Sequence, residues 1–403
     1  MHPDIMQPLK IFLIGGTGFV GSQLAPVLRN RGHRVVVGSR NGDPTHSIVG
    51  AENWENAIDD ADVVALLSVV NNDADQLIED MRSVNVELPM KIVDIVSKSP
   101  KKQLVLFGSD HSETRVLSLY AETKLELMAK LLQRTTSNVT VLMLSPVHGT
   151  RFVKKLAVVD CLPAPLRSIA VLVLGSVRPL THVERVADAI EATVFKRAYS
   201  PSIVAVVDDQ SKNIFYSFVT RLFDLCFASA VLIVFGWAMV LIAVLVAATS
   251  PGPALFLQKR VGLQGRTFVC FKFRTMHSNT PNVATHNISF GSTTKIGRYL
   301  RAWKLDELPQ IYNIFANQMS LVGPRPCLPC QHDLITARER LGVLCVKPGV
   351  TGWSQINGVD MSTSQELAEM DAQFCSRRSI LLYLKIVLLT FLGRGQGDKI
   401  RSA

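Results

Sequence analysis

The sequence predicts an α/β chain in three parts: a doubly wound parallel sheet over 1–208, a membrane-inserted helix over 225–250, and a compact, mainly helical α+β domain beyond it. Three observations carry this reading. A short apolar strand near the N-terminus runs into a glycine-rich turn. Further apolar runs alternate with helical patterns, the mark of parallel strands joined by crossover helices. From Leu225 to Gln258 there is no charged residue at all. With 403 residues, the chain is long enough for two or three separate cores.

The first element is the strand that opens Lys10-Ile-Phe-Leu-Ile-Gly-Gly-Thr-Gly-Phe-Val-Gly21, followed by a helix over 22–31. Gly15, Gly18 and Gly21 permit a tight turn and a close approach of backbone to a pyrophosphate, whose charge would meet the helix N-terminus. The next strand, His33 to Arg40, ends in a cation where an NAD-selective fold usually places Asp or Glu. Arg40 therefore favours a ribose 2'-phosphate, so the expected cofactor is NADP(H), with NAD(H) as the alternative. Strands over 62–70 and 103–108 continue the alternation, and Asp62 joins the glycines in the expected cofactor set. The fold class is a Rossmann-like doubly wound sheet.

After the fourth strand come Ser109-Asp-His-Ser112 and then Tyr120-Ala-Glu-Thr-Lys124, whose Tyr and Lys share one helix face. A lysine cation lowers a neighbouring tyrosine pKa, so the phenol can exchange a proton while a cofactor moves hydride. The plain alternative is a solvated helix face. With the glycine turn upstream, this half resembles the extended short-chain dehydrogenase/reductase family that acts on nucleotide sugars, over residues 9–208. The stretches 144–149 and 178–190 look like that family's later landmarks. The resemblance implies catalytic roles for Tyr120, Lys124 and a hydroxyl at Ser109 or Ser112, Asp110 being the other occupant of that place. Two readings stand: a working sugar reductase, epimerase or dehydratase, or a nucleotide-binding scaffold that supports a homodimer.

Roughly 20 apolar helical residues match a hydrocarbon core about 30 Å thick, and the run from Leu225 to Ala248 is long enough. Arg221 precedes it, and Lys259, Arg260, Arg266, Lys272 and Arg274 follow. The positive-inside tendency would keep both flanks cytoplasmic, which a hairpin-like re-entrant helix satisfies. Phe235-Gly-Trp237 offers the bend. A single-span anchor and a buried core helix are the alternatives. The net charge of +10 is concentrated after this helix, pointing to membrane lipids and phosphate ligands rather than nucleic acid, and no zinc-finger or basic-zipper pattern occurs. Seven cysteines in apolar surroundings imply reduced thiols. Cys327 and Cys330 lack the second pair a metal site would need. The N-terminus shows no secretory signal, so the first part is expected in the cytosol.

The third part opens with Ser250-Pro-Gly-Pro253, which stops the helix. Residues 259–262 and 271–276 alternate cations with apolar side chains, as in a segment at a membrane-water boundary or a surface strand. Asp306 and Glu307 are adjacent carboxylates that repel unless a cation lies near. Mg2+ would supply one, and a carboxylate beside it can attack phosphorus. Arg325, held between Pro324 and Pro326, offers a cation for phosphate, and residues 347–353 a glycine-bearing turn. A short apolar stretch, 380–392, reads as an interfacial helix.

In this order, behind a membrane helix, these motifs resemble the small monotopic phosphoglycosyl transferases, the bacterial sugar transferase family, from Arg221 to about Leu392. The resemblance implies a bacterial inner-membrane enzyme, and because one half would need cytosolic NADP and the other a cytosolic UDP-sugar, both domains are expected on the cytoplasmic face. Asp306 would attack the β-phosphate of a UDP-sugar, UMP would leave, and polyprenyl (undecaprenyl) phosphate would take the sugar phosphate, beginning a surface glycan. Asp306 and Glu307 would hold Mg2+, and Lys272, Arg274, Arg301 and Arg325, with its flanking prolines, would handle phosphate.

Overall fold

A computed structural model of the protein describes residues 7–39, 48–50, 53–67, 78–109, 119–134, 138–149, 151–152, 154–195, 202–277 and 293–395. Its internal contacts divide the chain into two compact units, 1–171 with 179–208, and 172–178 with 209–403.

Six strands come first: β1 (Lys10–Ile14), β2 (Arg34–Gly38), β3 (Ile48–Val49), β4 (Val63–Leu66), β5 (Gln103–Ser109) and β6 (Val139–Leu144). A short parallel pair, β7 (Val147–His148) and β8 (Thr181–His182), and then β9 (Ser202–Val206) follow. Between them lie α1 (Phe19–Asn30), α2 (Trp54–Asp60), α3 (Ile78–Arg82), α4 (Leu88–Ser97), α5 (Leu119–Leu132), α6 (Ala164–Val177) and α7 (Val183–Phe195).

The main sheet has the order β3-β2-β1-β4-β5-β6-β9 with every pairing parallel, which is the expected Rossmann-like arrangement. β1 sends Ile11 and Leu13 into a core with α1 and α7, and Phe12 and Ile14 into another with α4 and α5. Because both faces are covered, the strand reads as an unbroken apolar run rather than an alternation. Strand order reverses between β1 and β4, the place where such sheets bind ligands at their carboxyl ends. The helix expected over 22–31 starts earlier, at Phe19, because Gly18 caps it in an extended conformation. β6 and β9, which no motif announces, complete the sheet.

The second unit opens with α8 (Ile214–Thr249), 36 residues and so about 54 Å long. It begins well before Leu225 because Asn213 caps it, its side-chain oxygen accepting from the Tyr216 N–H at 3.0 Å. The expected hairpin is not formed: α8 runs unbroken through Gly236-Trp237. Glycine keeps its N–H and costs a helix only about 1 kcal/mol, so it permits a break without causing one. Tyr216, Asp224, Ala228, Met239 and Val246 form the buried stripe of α8, while Ile233, Trp237 and Val240 are exposed. Only 11% of its most apolar stretch is buried, and it is long and apolar enough to cross a membrane.

Next, β10 (Leu255–Val261) and β11 (Thr267–Phe273) pair as an antiparallel hairpin, so the alternating segments are strands. They are followed by α9 (Lys295–Ala302) and α10 (Ile311–Phe315). A parallel pair, β12 (Ser320–Val322) and β13 (Gly349–Thr351), brackets α11 (His332–Arg340). Three helices close the unit: α12 (Trp353–Ile356), α13 (Ser364–Ser376) and α14 (Ile380–Phe391).

Candidate active site

Asp306 and Glu307 sit on a 3-10 turn, Leu305–Gln310, entered through Lys304 in the left-handed region at φ 56°. A lysine held there costs about 1 kcal/mol or more and persists only where its surroundings impose it. The two carboxyls meet different environments. Glu307 Oε1 accepts from Lys272 Nζ at 2.6 Å and from Arg325 Nη2 at 3.2 Å. Burial works to raise the Glu307 carboxyl, but these two cations outweigh it and hold the group well below the usual carboxylate range. Asp306 is 8% exposed and has no ion pair or hydrogen-bonded side-chain partner among the described residues. Burial first, then the neighbouring Glu307 charge, push it up to about 6.

Both carboxylates line a cavity of about 280 Å³ with Lys272, Arg301, Lys304 and Arg325. Phe227 and Val231 of α8 and Ile311 and Ile314 of α10 supply an apolar wall. Arg301 is oriented by its Nε donating to Thr275 Oγ1 at 2.8 Å. Pro324 and Pro326 act through their carbonyls, which accept from Gly349 N and Arg260 Nη1 at 2.9 Å each. These bonds lock the loop that carries Arg325.

Arg274 is not brought to this cavity. It is buried at the end of α8, where its guanidinium donates to the carbonyls of Val246, Ser250 and Pro251. A helix C-terminus needs partners for its last carbonyls, and Arg274 is used there rather than on phosphate.

Sequence reasoning also missed a layer behind the site. Arg338 donates through Nη1 to the Arg325 carbonyl at 2.9 Å, and through Nε and Nη2 to Asp371 Oδ2 at 3.0 and 2.6 Å. Ser354 Oγ donates to the other Asp371 oxygen at 2.9 Å. Arg338 and Asp371 are 2% and 1% exposed, so this pair is a buried clamp on the Arg325 loop. Only the burial and pairing of these residues mark them, since no local motif does.

No cluster of three or more metal-ligating side chains occurs among the described residues. Mg2+ nevertheless fits the donor set, because it binds through one or two carboxylates plus substrate phosphates, and Asp306 is a buried carboxyl without a cation of its own.

In the first unit, Gly15 adopts φ 79° at the end of β1. A Cβ on Gly21 would lie 2.4–2.6 Å from the Gly16 backbone, so turn and helix can pack only without one. Lys124 is buried, donates to the Phe107 carbonyl at 3.2 Å and lies 5.8 Å from the centre of the Tyr120 ring. Burial pushes its ammonium down to about 8. The stretches 144–149 and 178–190 are brought together by the pairing of β7 with β8, where His148 Nε2 lies 2.9 Å from Asp208 Oδ2. Asp62 is not with the glycines. It precedes β4, and its carboxylate accepts from the Lys10 N–H, which opens β1, at 2.8 Å. Parallel strands put those starts at the edge of the sheet opposite the glycine turn. Ser109 closes β5, while Arg40, Asp110 and Ser112 lie outside the described residues.

Fold and site define the class: a two-unit protein that joins a Rossmann-like unit to a mostly helical one, in which an apolar helix walls a cation-ringed carboxylate cavity. Comparison with known proteins places both units. Residues 215–395 match the family described as bacterial sugar transferase, and residues 11–198 match the NAD dependent epimerase/dehydratase family. A UDP-glucose:undecaprenyl-phosphate glucose-1-phosphate transferase of Xanthomonas campestris is 41% identical over 170 residues, covering 38% of this chain and 34% of that protein. A protein of the same description from Caulobacter vibrioides is 37% identical, covering 42% of this chain and 67% of that one. An uncharacterized sugar transferase of Bacillus subtilis, EpsL, is also 37% identical, over 42% of this chain and 84% of that protein. The chain belongs to the bacterial sugar transferase family, and the epimerase/dehydratase match lies ahead of the sugar transferase match. It spans about a third of the length of the Xanthomonas relative.

Proposed function

We propose that this chain transfers a sugar 1-phosphate from a UDP-sugar to undecaprenyl phosphate or a similar polyprenyl phosphate and releases UMP. The observation that carries this reading is Asp306, a buried carboxyl without a cation of its own, facing cations in a cavity walled by an apolar helix. The Asp306 carboxylate attacks the β-phosphorus, the bond from that phosphorus to the bridging oxygen breaks, and UMP leaves with that oxygen. A phosphate oxygen of the lipid then attacks the same phosphorus, forming the diphosphate and returning Asp306 as a carboxylate. Glu307, paired with Lys272 and Arg325, stays ionised and aims both cations at the phosphoryl oxygens, while Arg301 adds a third positive charge. Asp306 and Glu307, with substrate phosphates, would hold Mg2+, which when bound neutralises charge on phosphorus.

The first unit, over 1–208, is proposed to bind NADP(H) or NAD(H) at Gly15, Gly18 and Gly21 and to modify the UDP-sugar before transfer. Tyr120 exchanges the proton there, with the buried Lys124 beside it. Residues 209–220 join this unit to the transferase domain of 221–403.

Both ends of α8 are tied to the same polar unit, which supports a helix that enters the membrane without leaving its domain across it. Near the start, Arg221 donates to the Ile314 and Phe315 carbonyls, and Asp224 accepts from Leu321 N. At the other end, Arg274 holds the final carbonyls. A single full crossing would carry one end away. On this reading both flanks stay on the cytoplasmic face of a bacterial inner membrane, and lipid meets Ile233, Trp237 and Val240.

UMP release by the full chain in nanodiscs, with Mg2+, undecaprenyl phosphate and a panel of UDP-sugars with and without NADPH, tests this. Release abolished by Asp306→Ala is expected; release that survives the substitution would overturn the assignment of the nucleophile. Tyr120→Phe should stop any change in the UDP-sugar while UMP release continues.

A further inference from the structure

The Asp306 cavity meets a second cavity at Arg325. The second is larger, about 590 Å³, and shares Arg325, Gln355 and Gly395 with the first. Both walls mix polar and apolar side chains, Ile356, Val359, Met361 and Leu367 standing in the larger one, and they differ in whether α8 takes part. The smaller cavity draws on Phe227 and Val231 of the apolar α8. The larger takes no described residue from α8; residues 354–361 and 393–395 line it, bringing the carboxamides of Gln355 and Asn357, the Asp360 carboxylate and the Arg394 cation.

Resting on the transfer reaction proposed above, we infer that the two cavities divide its substrates. The nucleoside phosphate of the donor occupies the larger cavity, and the lipid phosphate reaches Asp306 through the smaller one, along Phe227 and Val231. Volume supports this division. Pockets that enclose small organic ligands run from about 300 to 1,000 Å³, a range that has the larger cavity well inside it and the smaller at its lower edge. A phosphate head with the first carbons of a lipid needs only the smaller space, and its chain continues along an apolar wall. A base and ribose need amide groups and apolar side chains to lie against, which the larger cavity supplies in Gln355, Asn357, Val359 and Met361, while the cations around Asp306 take the phosphate being transferred. Gln355, at the junction, keeps a buried side-chain oxygen without a hydrogen bond among the described residues, an unfavourable state that a donor group of a bound ligand would relieve. Arg325 stands where the two substrates exchange the phosphoryl group, already paired with Glu307.

The division has a kinetic signature. In a ping-pong reaction at one shared site, the first product competes with the second substrate. With separate sites it competes with the first. UMP is therefore expected to inhibit competitively against UDP-sugar and noncompetitively against undecaprenyl phosphate. Asn357→Ala should raise KM for UDP-sugar by roughly tenfold, the worth of one hydrogen bond, and leave KM for the lipid unchanged. Phe227→Ala should do the reverse. Calorimetric binding of UMP alone to the full chain provides an arm that needs no turnover: Asn357→Ala should weaken it by a similar factor, and Phe227→Ala should not. UMP competing with the lipid, or UMP binding unaffected by Asn357→Ala, would overturn the division. UMP binding with the expected variant pattern but no transfer from any UDP-sugar would instead sink the reaction and leave the nucleotide site standing.

Discussion

Replacing Asp306 with Asn separates what the nucleophile does from what it costs. The carboxyl titrates near 6 in the folded protein, through burial and then Glu307, against about 3.9 in an unfolded chain. The folded state thus holds this proton more tightly. Stability is full below the unfolded value, falls as pH rises between the two values, and levels off above the folded one. At 1.36 kcal/mol per unit, the penalty is about 3 kcal/mol at pH 8 and about 1.5 kcal/mol at pH 5. Asparagine removes the charge at nearly constant shape. In nanodiscs without divalent cations, Asp306→Asn is expected to lose UMP release and to melt higher than the parent at pH 8. For a unit of this size the gain is roughly 6–12 °C, halving at pH 5. Tryptophan fluorescence during heating measures it. A variant that melts at or below the parent at pH 8, or a gap that does not narrow in acid, would refute the account of a carboxyl whose burial beside Glu307 disfavours its charged form.

The same titration sets the pH dependence of transfer: kcat/KM for the UDP-sugar should rise through about pH 6 as Asp306 ionises, and a flat profile from pH 5 to 8 would contradict its role. Asp371→Asn leaves Arg338 buried without its counter-charge and should cost about 3–5 kcal/mol in urea unfolding, with a fall in kcat as the Arg325 loop loosens. Gly21→Ala, whose new methyl would collide with the Gly16 backbone, should abolish NADPH binding by fluorescence titration while UMP release persists.

Much of this was legible in the residues because it is local. The strand, turn and helix around Gly15, Gly18 and Gly21 occupy one continuous segment, and α8 declares itself by length and lack of charge. Asp306, Glu307 and Arg325 stand out as neighbours or as a proline-bracketed arginine, and the fold brings them together with Lys272 and Arg301. Other readings failed because they required knowing which end of an element meets what. Asp62 begins a strand, and in a parallel sheet that start lies opposite the glycine turn. Arg274 looks like any cation after an apolar helix until the hairpin that precedes it returns the chain to the end of that helix.

By itself, then, the sequence determined the kinds of element and the reactive groups: a glycine turn for a dinucleotide, an apolar helix, and a carboxylate pair with cations nearby. Those follow from composition and spacing within a turn or two of chain. Only the tertiary structure decided which cation serves which partner, since Lys272 and Glu307 meet across 35 residues of sequence and Arg338 and Asp371 across 33. It also made the two carboxyls unequal. Side by side in sequence, Glu307 is ion-paired with cations from distant segments, while Asp306 is buried, makes no ion pair of its own among the described residues, and is pushed up by burial and by the Glu307 charge.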